Sequence, residues 1–152
     1  MTRRWAAACA VFEGRMVACG GGRHGDTSRT VEVYDHVADT WAYMPKMVRE
    51  RVFHHLVAVK CKLFVIGGRQ DSCEVYDSSS KKFSLLKSPA EVLKFDFKNA
   101  AGAISMGDRI IVFEDERKLV ACYDLNKEQW SAESYGTDEL YNFYGCVKLP
   151  QF

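Results

Sequence analysis

The residues of this sequence that are best suited to chemistry do not form a catalytic or metal-binding pattern. His54 and His55 are adjacent, so on a β-strand their side chains would point to opposite faces and could not hold one metal ion. The glycine-rich stretch from Gly20 to Gly25 lacks the Lys-Ser/Thr ending and the following helix of a phosphate-binding loop. No G-x-S-x-G, H-E-x-x-H or dinucleotide-binding motif is present. We therefore expect no enzyme, no cofactor and no metal.

The cysteines favour free thiols. The six lie at positions 9, 19, 61, 73, 122 and 146 and form no Cys-x-x-Cys pair. Most occupy apolar runs, where a free cysteine behaves as a small hydrophobic residue. We therefore expect a reducing compartment and no disulfide framework. Cys61 and Cys73 lie near predicted turns, which suggests partial exposure, but the lysines beside Cys61 would point away from it on a strand, so a redox-sensing thiol is not favoured.

Charge and hydropathy exclude further classes of protein. In 152 residues, 21 basic residues nearly balance 20 acidic ones, which leaves a net charge of +1. A nucleic-acid groove or a membrane-surface patch needs a clustered basic excess, so neither partner is expected. No apolar run approaches the roughly 18 residues of a transmembrane helix. Glu13 and Arg15 interrupt the apolar stretch that follows Arg4, so no signal peptide is expected. These features favour a cytoplasmic protein.

A repeated pattern organises the chain. The segments VFEGRMVACGG, AVKCKLFVIGG and ISMGDRIIVFE begin at Val11, Ala58 and Ile104, which are 47 and 46 residues apart. A second set, VEVYDHVADTW, CEVYDSSSKKF and VACYDLNKEQW, recurs at intervals of 42 and 47 residues. The unequal interval places five extra residues in the first copy, within the loop GRHGDTSRT. Insertions confined to loops are expected when each repeat is one compact unit.

Each copy predicts four short strands, a to d, and no helix. Four antiparallel strands every 42 to 47 residues are typical of a β-propeller blade, so the sequence predicts an all-β fold of three four-stranded blades in an incomplete ring. Strand a is rich in alanine, which suits the crowded innermost position. The paired glycines allow backbone angles and close contacts that a Cβ would block. Core packing is predicted for the recurring aromatics. The recurring positions are Gly20, Gly21, Tyr34, Trp41, Gly67, Gly68, Tyr76, Phe83, Tyr123 and Trp130.

This ordered set resembles the kelch repeat. In the third copy, Phe113 and Glu114 stand where the glycines belong, so that blade is degenerate. The stretch from Met44 to Val59 is similar to the inter-blade spacing of the BTB-kelch subfamily, in which a Pro-x-Met and an arginine precede strand a. Arg51 holds that place, and Arg4 lies 47 residues earlier. The ending YNFYGCVKLPQF resembles the C-terminal segment of the subfamily, which supplies a closing strand.

The resemblance also implies the organisation of the chain. We expect blade 1 at about 3–47, blade 2 at about 48–90, blade 3 at about 96–133 and a closing strand at about 141–149. Propellers of the subfamily have six blades, and three cannot close such a ring. An open stack leaves blade faces and edges uncovered. The chain is therefore expected either to be the C-terminal half of a longer protein or to form a homodimer that completes the ring.

Binding is expected on one face, because the b-to-c loops and the d-to-a connections of a blade emerge on the same side. Several arginines fall there, and arginine can grip a carboxylate in bidentate fashion, so an acidic peptide segment is the expected partner. The loops are 23–29, 69–72, 115–118, 46–51 and 88–98. The candidate partner-binding residues are Arg4, Arg23, His24, Arg29, Arg49, Arg51, Arg69 and Gln70.

Three functions remain open from the sequence. The resemblance implies a substrate-recognition module in an adaptor of a cullin-RING ubiquitin ligase. The BTB domain that would bind the cullin is absent from these 152 residues. The alternative is a cytoskeletal kelch protein that binds actin. A propeller enzyme, such as a copper oxidase, is less favoured because no matching Tyr, His and Cys set can be aligned.

Overall fold

The computed structural model describes residues 1–23, 26–86, 95–96, 98, 100–114 and 119–134. Within them, every long element is a β-strand, and the strands form three separate four-stranded antiparallel sheets. The predicted fold class, an all-β chain of propeller blades, is therefore confirmed. The expected closing strand at 141–149, Cys146, His24 and the loop at 115–118 lie outside the described residues. No helix in the described part of the chain is long and apolar enough to span a membrane.

The first sheet contains four strands, namely β1 Ala8–Phe12, β2 Arg15–Cys19, β5 Val31–Asp35 and β6 Thr40–Met44. They pair side by side in that order. The extra residues of the first copy are not only loop, as the sequence suggested. They form a small hairpin of β3 (Gly22–Arg23) and β4 (Asp26–Thr27).

The other two sheets repeat the same meander. The second contains β7 His54–Val59, β8 Lys62–Gly67, β9 Cys73–Asp77 and β10 Lys82–Leu86. The third contains β11 Ala100–Met106, β12 Arg109–Glu114, β13 Leu119–Asp124 and β14 Gln129–Ser134. The third copy thus forms a four-stranded sheet even without its glycines, with one register shift between Ala100 and Gly102.

The strand register corrects one detail of the repeat alignment. Ile110 pairs with Tyr123 just as Leu63 pairs with Tyr76. The third sheet therefore follows the second by 47 residues throughout, and not by 46 as the first set of segments suggested. Glu114 consequently stands in the place of Gly67, and Phe113 stands in the place of Ile66.

The repeated Tyr-Asp pair has a structural explanation. Each tyrosine faces the aromatic of the next strand across the ladder, with ring centroids 5.2, 5.1 and 5.0 Å apart in the three copies. Each aspartate accepts backbone N–H groups of the turn that follows, as Asp35 does from Val37 at 2.9 Å and from Ala38 at 3.0 Å. These hydrogen bonds hold the pKa of Asp35 below its usual value. The pair therefore fixes both the register and the turn of the outer hairpin.

Two apolar cores lie between the sheets. One packs the first sheet against the second, and Phe12 meets Tyr76 edge-on with centroids 6.1 Å apart. The other packs the second sheet against the third, and the ring centroids of Phe64 and Tyr123 lie 5.9 Å apart. The first strands β1, β7 and β11 lie side by side across the sheets, as expected for the innermost strands of blades. Cys73 lies inside a core and is fully buried, so the expectation that it is partly exposed is wrong.

Candidate partner-binding face

Arg51 lies beneath the predicted binding face rather than on it. It is 1% exposed, and its guanidinium donates to Oε1 of Glu74 at 3.0 and 3.1 Å. The same group donates to the carbonyl oxygen of Gly67 at 2.6 Å and to the carbonyl oxygen of Ser72 at 2.7 Å. Every edge of the planar fork is therefore occupied inside the protein. Our prediction of Arg51 as a partner contact is thus corrected, since its role here is to hold the b-to-c loop of the second sheet.

Arg4 repeats this arrangement 47 residues earlier. Its side chain is buried and forms an ion pair with Glu32. It also donates to the carbonyl oxygens of Gly20 at 2.7 Å and Thr30 at 3.2 Å. Burial acts to raise the pKa of Glu32, but hydrogen bonds from Thr2 and Arg4 lower it below its usual value. Arg4 is corrected in the same way, from a partner contact to a support for the first b-to-c loop.

A signal for these ion pairs is present in the sequence. Glu32 and Glu74 each stand two residues before the recurring tyrosine, in the two copies that also carry the arginine. The third copy has Ala121 and Lys98 at the corresponding positions, so it loses both partners together. A buried arginine without a carboxylate would be strongly unfavourable. The joint presence and loss of the two residues could have revealed the pairing.

In the third sheet a different carboxylate meets the entering chain. Glu114 is fully buried at the position that Gly67 holds in the second sheet. Its carboxylate accepts the backbone N–H of Asp96 at 3.4 Å. In the second sheet, Glu74 accepts the corresponding backbone donors of Val48 at 2.6 Å and Arg49 at 2.9 Å. The described parts of all three copies therefore place a buried carboxylate where the chain enters a blade.

The loops of the first two sheets are joined at this face. The carbonyl oxygen of Arg51 accepts the N–H of Gly21 at 2.8 Å, and Arg29 accepts the N–H of Met47 through its carbonyl oxygen at 2.9 Å. Ser28 and Arg51 also form an antiparallel bridge. The b-to-c loop of one blade thus hydrogen-bonds to the connection that enters the next blade. Such contacts give side chains on different loops fixed relative positions.

The glycine pairs make room for a buried histidine at the same junction. A Cβ on Gly20 would collide with the imidazole of His54, and one on Gly68 would lie 2.5 Å from the Cβ of His54. Both glycines have positive φ, 60° and 81°. Nε2 of His54 lies 3.2 Å from Sγ of Cys19. Burial, followed by the nearby Arg51, lowers the pKa of His54 to about 3, and burial raises the pKa of the Cys19 thiol.

His55 points the other way, as its position on a strand predicts. It is half-buried, and its Nε2 donates to the carbonyl oxygen of Ala100 in β11 at 2.8 Å. The two histidines therefore do not share a ligand. Within the described residues, no group of three or more histidine, cysteine, aspartate or glutamate side chains could hold a metal ion.

The remaining predicted residues that the structure describes are at least partly exposed to solvent. Arg23, Arg29, Arg49 and Arg69 are exposed, and Gln70 is half-buried. Arg29 reaches across to the carbonyl oxygen of Val48 at 3.4 Å, which links two loops of the face. We name this set the loop-face arginines, meaning Arg23, Arg29, Arg49 and Arg69.

Two aromatic residues on this face were missed by the sequence analysis. Trp5 is 45% exposed and Phe53 is 57% exposed, and their ring centroids are 5.8 Å apart. The guanidinium carbon of Arg69 lies 5.3 Å from the centroid of the Phe53 ring. Each aromatic directly or nearly follows one of the buried arginines, Arg4 or Arg51. A large aromatic between that arginine and strand a is the signal that could have found them.

Comparison with known proteins points to proteins with kelch repeats. The family model described as the kelch motif matches residues 3–48, which include the whole first sheet and the start of the connection to the second. An F-box/kelch-repeat protein of Arabidopsis thaliana is 30% identical over 131 residues. Residues 3–48 match the kelch motif, and the chain as a whole is similar to kelch-repeat proteins. The resemblance that Gly20-Gly21, Gly67-Gly68 and the paired aromatics carry is therefore confirmed.

Other kelch proteins match over shorter or more distant stretches. Kelch-like protein 7 of Rattus norvegicus and of Mus musculus is 35% identical over 60 residues, which make up 36% of this chain. Among solved structures, the structure of YjhT superposes with a TM-score of 0.71 over 90% of this chain, at 13% sequence identity. At that identity the superposition supports the fold alone.

The chain is shorter than the proteins it matches. The Arabidopsis alignment covers 83% of this chain and 43% of the relative. The alignments cover 10% of Kelch-like protein 7 and 53% of the YjhT chain. The chain therefore spans about half or less of the length of each of these proteins.

Proposed function

We propose that this chain is the substrate-recognition part of a ubiquitin ligase adaptor of the BTB-kelch type, acting in the cytoplasm. Kelch repeats are protein-interaction modules, and the match to Kelch-like protein 7 supports the kelch-like subfamily. The observation that carries the proposal is that some arginines of this region are buried and others are exposed. The side chains of Arg4 and Arg51 are buried, whereas the loop-face arginines are exposed on loops that hydrogen-bond to one another.

The arrangement suits recognition rather than stability. An exposed arginine adds little to the stability of a fold, since surface ion pairs contribute about 0–1 kcal/mol. On a joined set of loops, however, it can bind a carboxylate with two parallel hydrogen bonds. Because the loops hydrogen-bond to one another, a partner would meet a preorganised surface and would lose less entropy on binding. Acidic protein segments are therefore the expected class of target.

The adaptor role is tested on the endogenous protein that contains this sequence. Immunoprecipitation with quantitative mass spectrometry should recover a cullin and a RING subunit together with a target. Recovery of actin without a cullin would instead support the cytoskeletal alternative. Recovery of neither would contradict both readings.

A variant pair assigns the target to the loop face. Replacing Arg23, Arg29, Arg49 and Arg69 with alanine should remove the target and leave the cullin in the precipitate. The matched control replaces four exposed cations at the opposite end of the sheets, namely Arg15, Lys82, Arg109 and Lys127. Both variants remove four positive charges. Equal loss of the target from both would contradict recognition by this face.

A further inference from the structure

Trp5, Phe53 and Arg69 form a continuous exposed surface, which we call the aromatic platform. Trp5 and Phe53 are tilted by 58° with centroids 5.8 Å apart, and Arg69 lies over the Phe53 ring. The three residues come from the chain that enters the first sheet, the chain that enters the second and the second b-to-c loop. Large aromatics next to an arginine are the composition of binding hot spots. They are uncommon on surfaces that only face water.

The exposure of Phe53 is not a by-product of packing. Its backbone has φ of 55°, a conformation that a bulky residue rarely adopts. The N–H of Phe53 is held by the carbonyl oxygen of Ala6 at 3.1 Å, and Ala6 occupies the same repeat position with φ of 50°. The neighbouring Val52 supplies the buried side chain of this segment. An alanine therefore satisfies the fold at this position, and the aromatic ring is an addition that the fold does not require.

Trp5 packs against the β3-β4 hairpin of the first copy. Its N–H donates to the carbonyl oxygen of Gly22 at 3.0 Å, and its carbonyl oxygen accepts the N–H of Gly22 at 2.9 Å. The indole lies so close to Gly22 that an added Cβ would be 2.5 Å from the ring. Val52, which holds the corresponding position in the second copy, is buried. The β3-β4 hairpin, formed by the extra residues of the first copy, thus packs against Trp5 while part of the indole stays exposed.

The charges around the platform select the ligand. Arg69 already occupies the face of Phe53 that a ligand cation would need, so a lysine or quaternary ammonium group is disfavoured. The exposed side chains described on these loops carry more positive than negative charge. The cations are Arg3, Arg23, Arg29, Lys46, Arg49 and Arg69, and the anions are Glu50 and Asp71. An anionic group next to an apolar one complements this surface.

We propose that the aromatic platform binds an extended peptide segment in which an apolar or aromatic side chain is flanked by a carboxylate. The apolar side chain packs on Trp5 and Phe53, and the carboxylate pairs with Arg69 across the remaining edge of its guanidinium. This inference rests on the proposed function, since it names the ligand class of the same face. It also assigns the main contact to two residues that carry no charge.

Selection from a phage-displayed library of random twelve-residue peptides on the 152-residue chain tests this. We expect enriched peptides that share an aromatic or large aliphatic residue beside Asp or Glu. Their synthetic forms should bind F53A about tenfold or more weakly, as truncation of a central aromatic does. F53A adopts the residue type of Ala6, so its circular dichroism and melting should match the unchanged chain.

Two further variants separate contact from folding. G22A changes no platform residue, but its added methyl group would displace the indole of Trp5, so it should weaken peptide binding. R69K keeps the charge but loses the planar guanidinium. It should weaken the binding of acidic peptides more than the binding of the same peptides with Asp replaced by Asn. A6G changes the equivalent backbone position but keeps the platform side chains and the carbonyl oxygen that accepts the N–H of Phe53, so it should bind like the unchanged chain.

The results discriminate between the two proposals. If peptide binding is unchanged in F53A and G22A but is lost in R29A and R49A, the platform proposal is overturned and the loop-face function stands. Enriched peptides rich in Lys or Arg would also overturn the platform. If no loop-face or platform substitution weakens the binding of any enriched peptide, both the platform and the loop-face function are overturned.

Discussion

The guanidinium of Arg51 lies 3.0 Å from the carboxylate of Glu74, and neither side chain is exposed to solvent. The glutamate in turn accepts the N–H groups of Val48 and Arg49. The arginine reaches the carbonyl oxygens of Gly67 and Ser72. One buried pair therefore ties the entering connection, the end of β8 and the b-to-c loop together. This explains how short loops without secondary structure keep a defined arrangement.

Breaking this pair from one side should destabilise the fold strongly. R51M leaves a buried carboxylate without its counter-charge, which costs about 3–5 kcal/mol in comparable sites. We expect a loss of that size in the free energy of unfolding, measured by urea denaturation. R49M, on an exposed neighbour, should change it by less than about 0.5 kcal/mol. Similar small losses for both variants would contradict the scaffold role of Arg51.

Positive φ and crowding by neighbouring atoms are two separate reasons why an alanine in place of a glycine should lower the free energy of unfolding. An alanine at Gly68 would place its Cβ 2.5 Å from His54 and 2.6 Å from the carbonyl oxygen of Val52, at φ of 81°. Gly14 has φ of 73°, but within the described residues no atom lies within 4 Å of the place that an alanine methyl group would take. G14A should therefore cost only the backbone strain, about 1–2 kcal/mol. G68A should cost clearly more in the same denaturation assay, and equal losses would show that crowding by His54 is unimportant.

Much of the fold could be predicted because the physical requirements of a blade recur. The interval of the Tyr-Asp pairs, the paired glycines and the strand alternation all follow from local chemistry that sequence displays directly. The one-residue error in the third copy arose where Glu114 replaces a glycine. The sequence shows that substitution, but only the ladder of Ile110 with Tyr123 fixes the register.

The candidate site could be predicted only in part. The sequence places Arg51 in a loop, but its burial depends on Glu74, which is 23 residues away and reached only when the sheet forms. The exposure of Phe53 depends on its positive φ, and no propensity predicts that angle for a phenylalanine. An arginine alone does not show in the sequence whether it is buried or exposed, and only the paired glutamate marks Arg4 and Arg51 as buried. Their partners decide between scaffold and binding surface.

Acid should weaken the fold through His54. Burial lowers the pKa of His54 in the folded chain from 6.5 to about 3, so the folded form stays neutral while the unfolded form takes up a proton below pH 6.5. The free energy of unfolding should be insensitive to this group above pH 7 and should fall progressively from about pH 6.5 towards pH 3. H54A should be less stable at pH 7 but should lose this part of the pH dependence. H36A, at an exposed histidine, should retain it, and an unchanged slope in H54A would contradict the assignment.

The two end faces of the stack should drive association. In the middle sheet, Leu63 and Phe64 point to opposite neighbours and are 0% and 2% exposed. Their counterparts at the ends, Met16 in the first sheet and Ile111 in the third, lie on faces that no sheet in the described part of the chain covers. Met16 is 43% exposed, and Ile111 borders an open cavity of about 460 Å³. Because these faces repeat the chemistry of the covered ones, each is suited to a further blade.

Light scattering after size-exclusion chromatography measures this association. We expect the measured particle mass to exceed the 17.3 kDa of one chain and to increase as the protein concentration is raised. A species near twice 17.3 kDa would fit two stacks of blades that complete one ring. M16E and I111E should each lower the measured mass because they place a charge in the contact while the blades still fold. L63E, the middle-sheet counterpart of M16E, should unfold the chain instead, because that position is already covered. A constant mass of 17.3 kDa at every concentration would contradict association through the end faces.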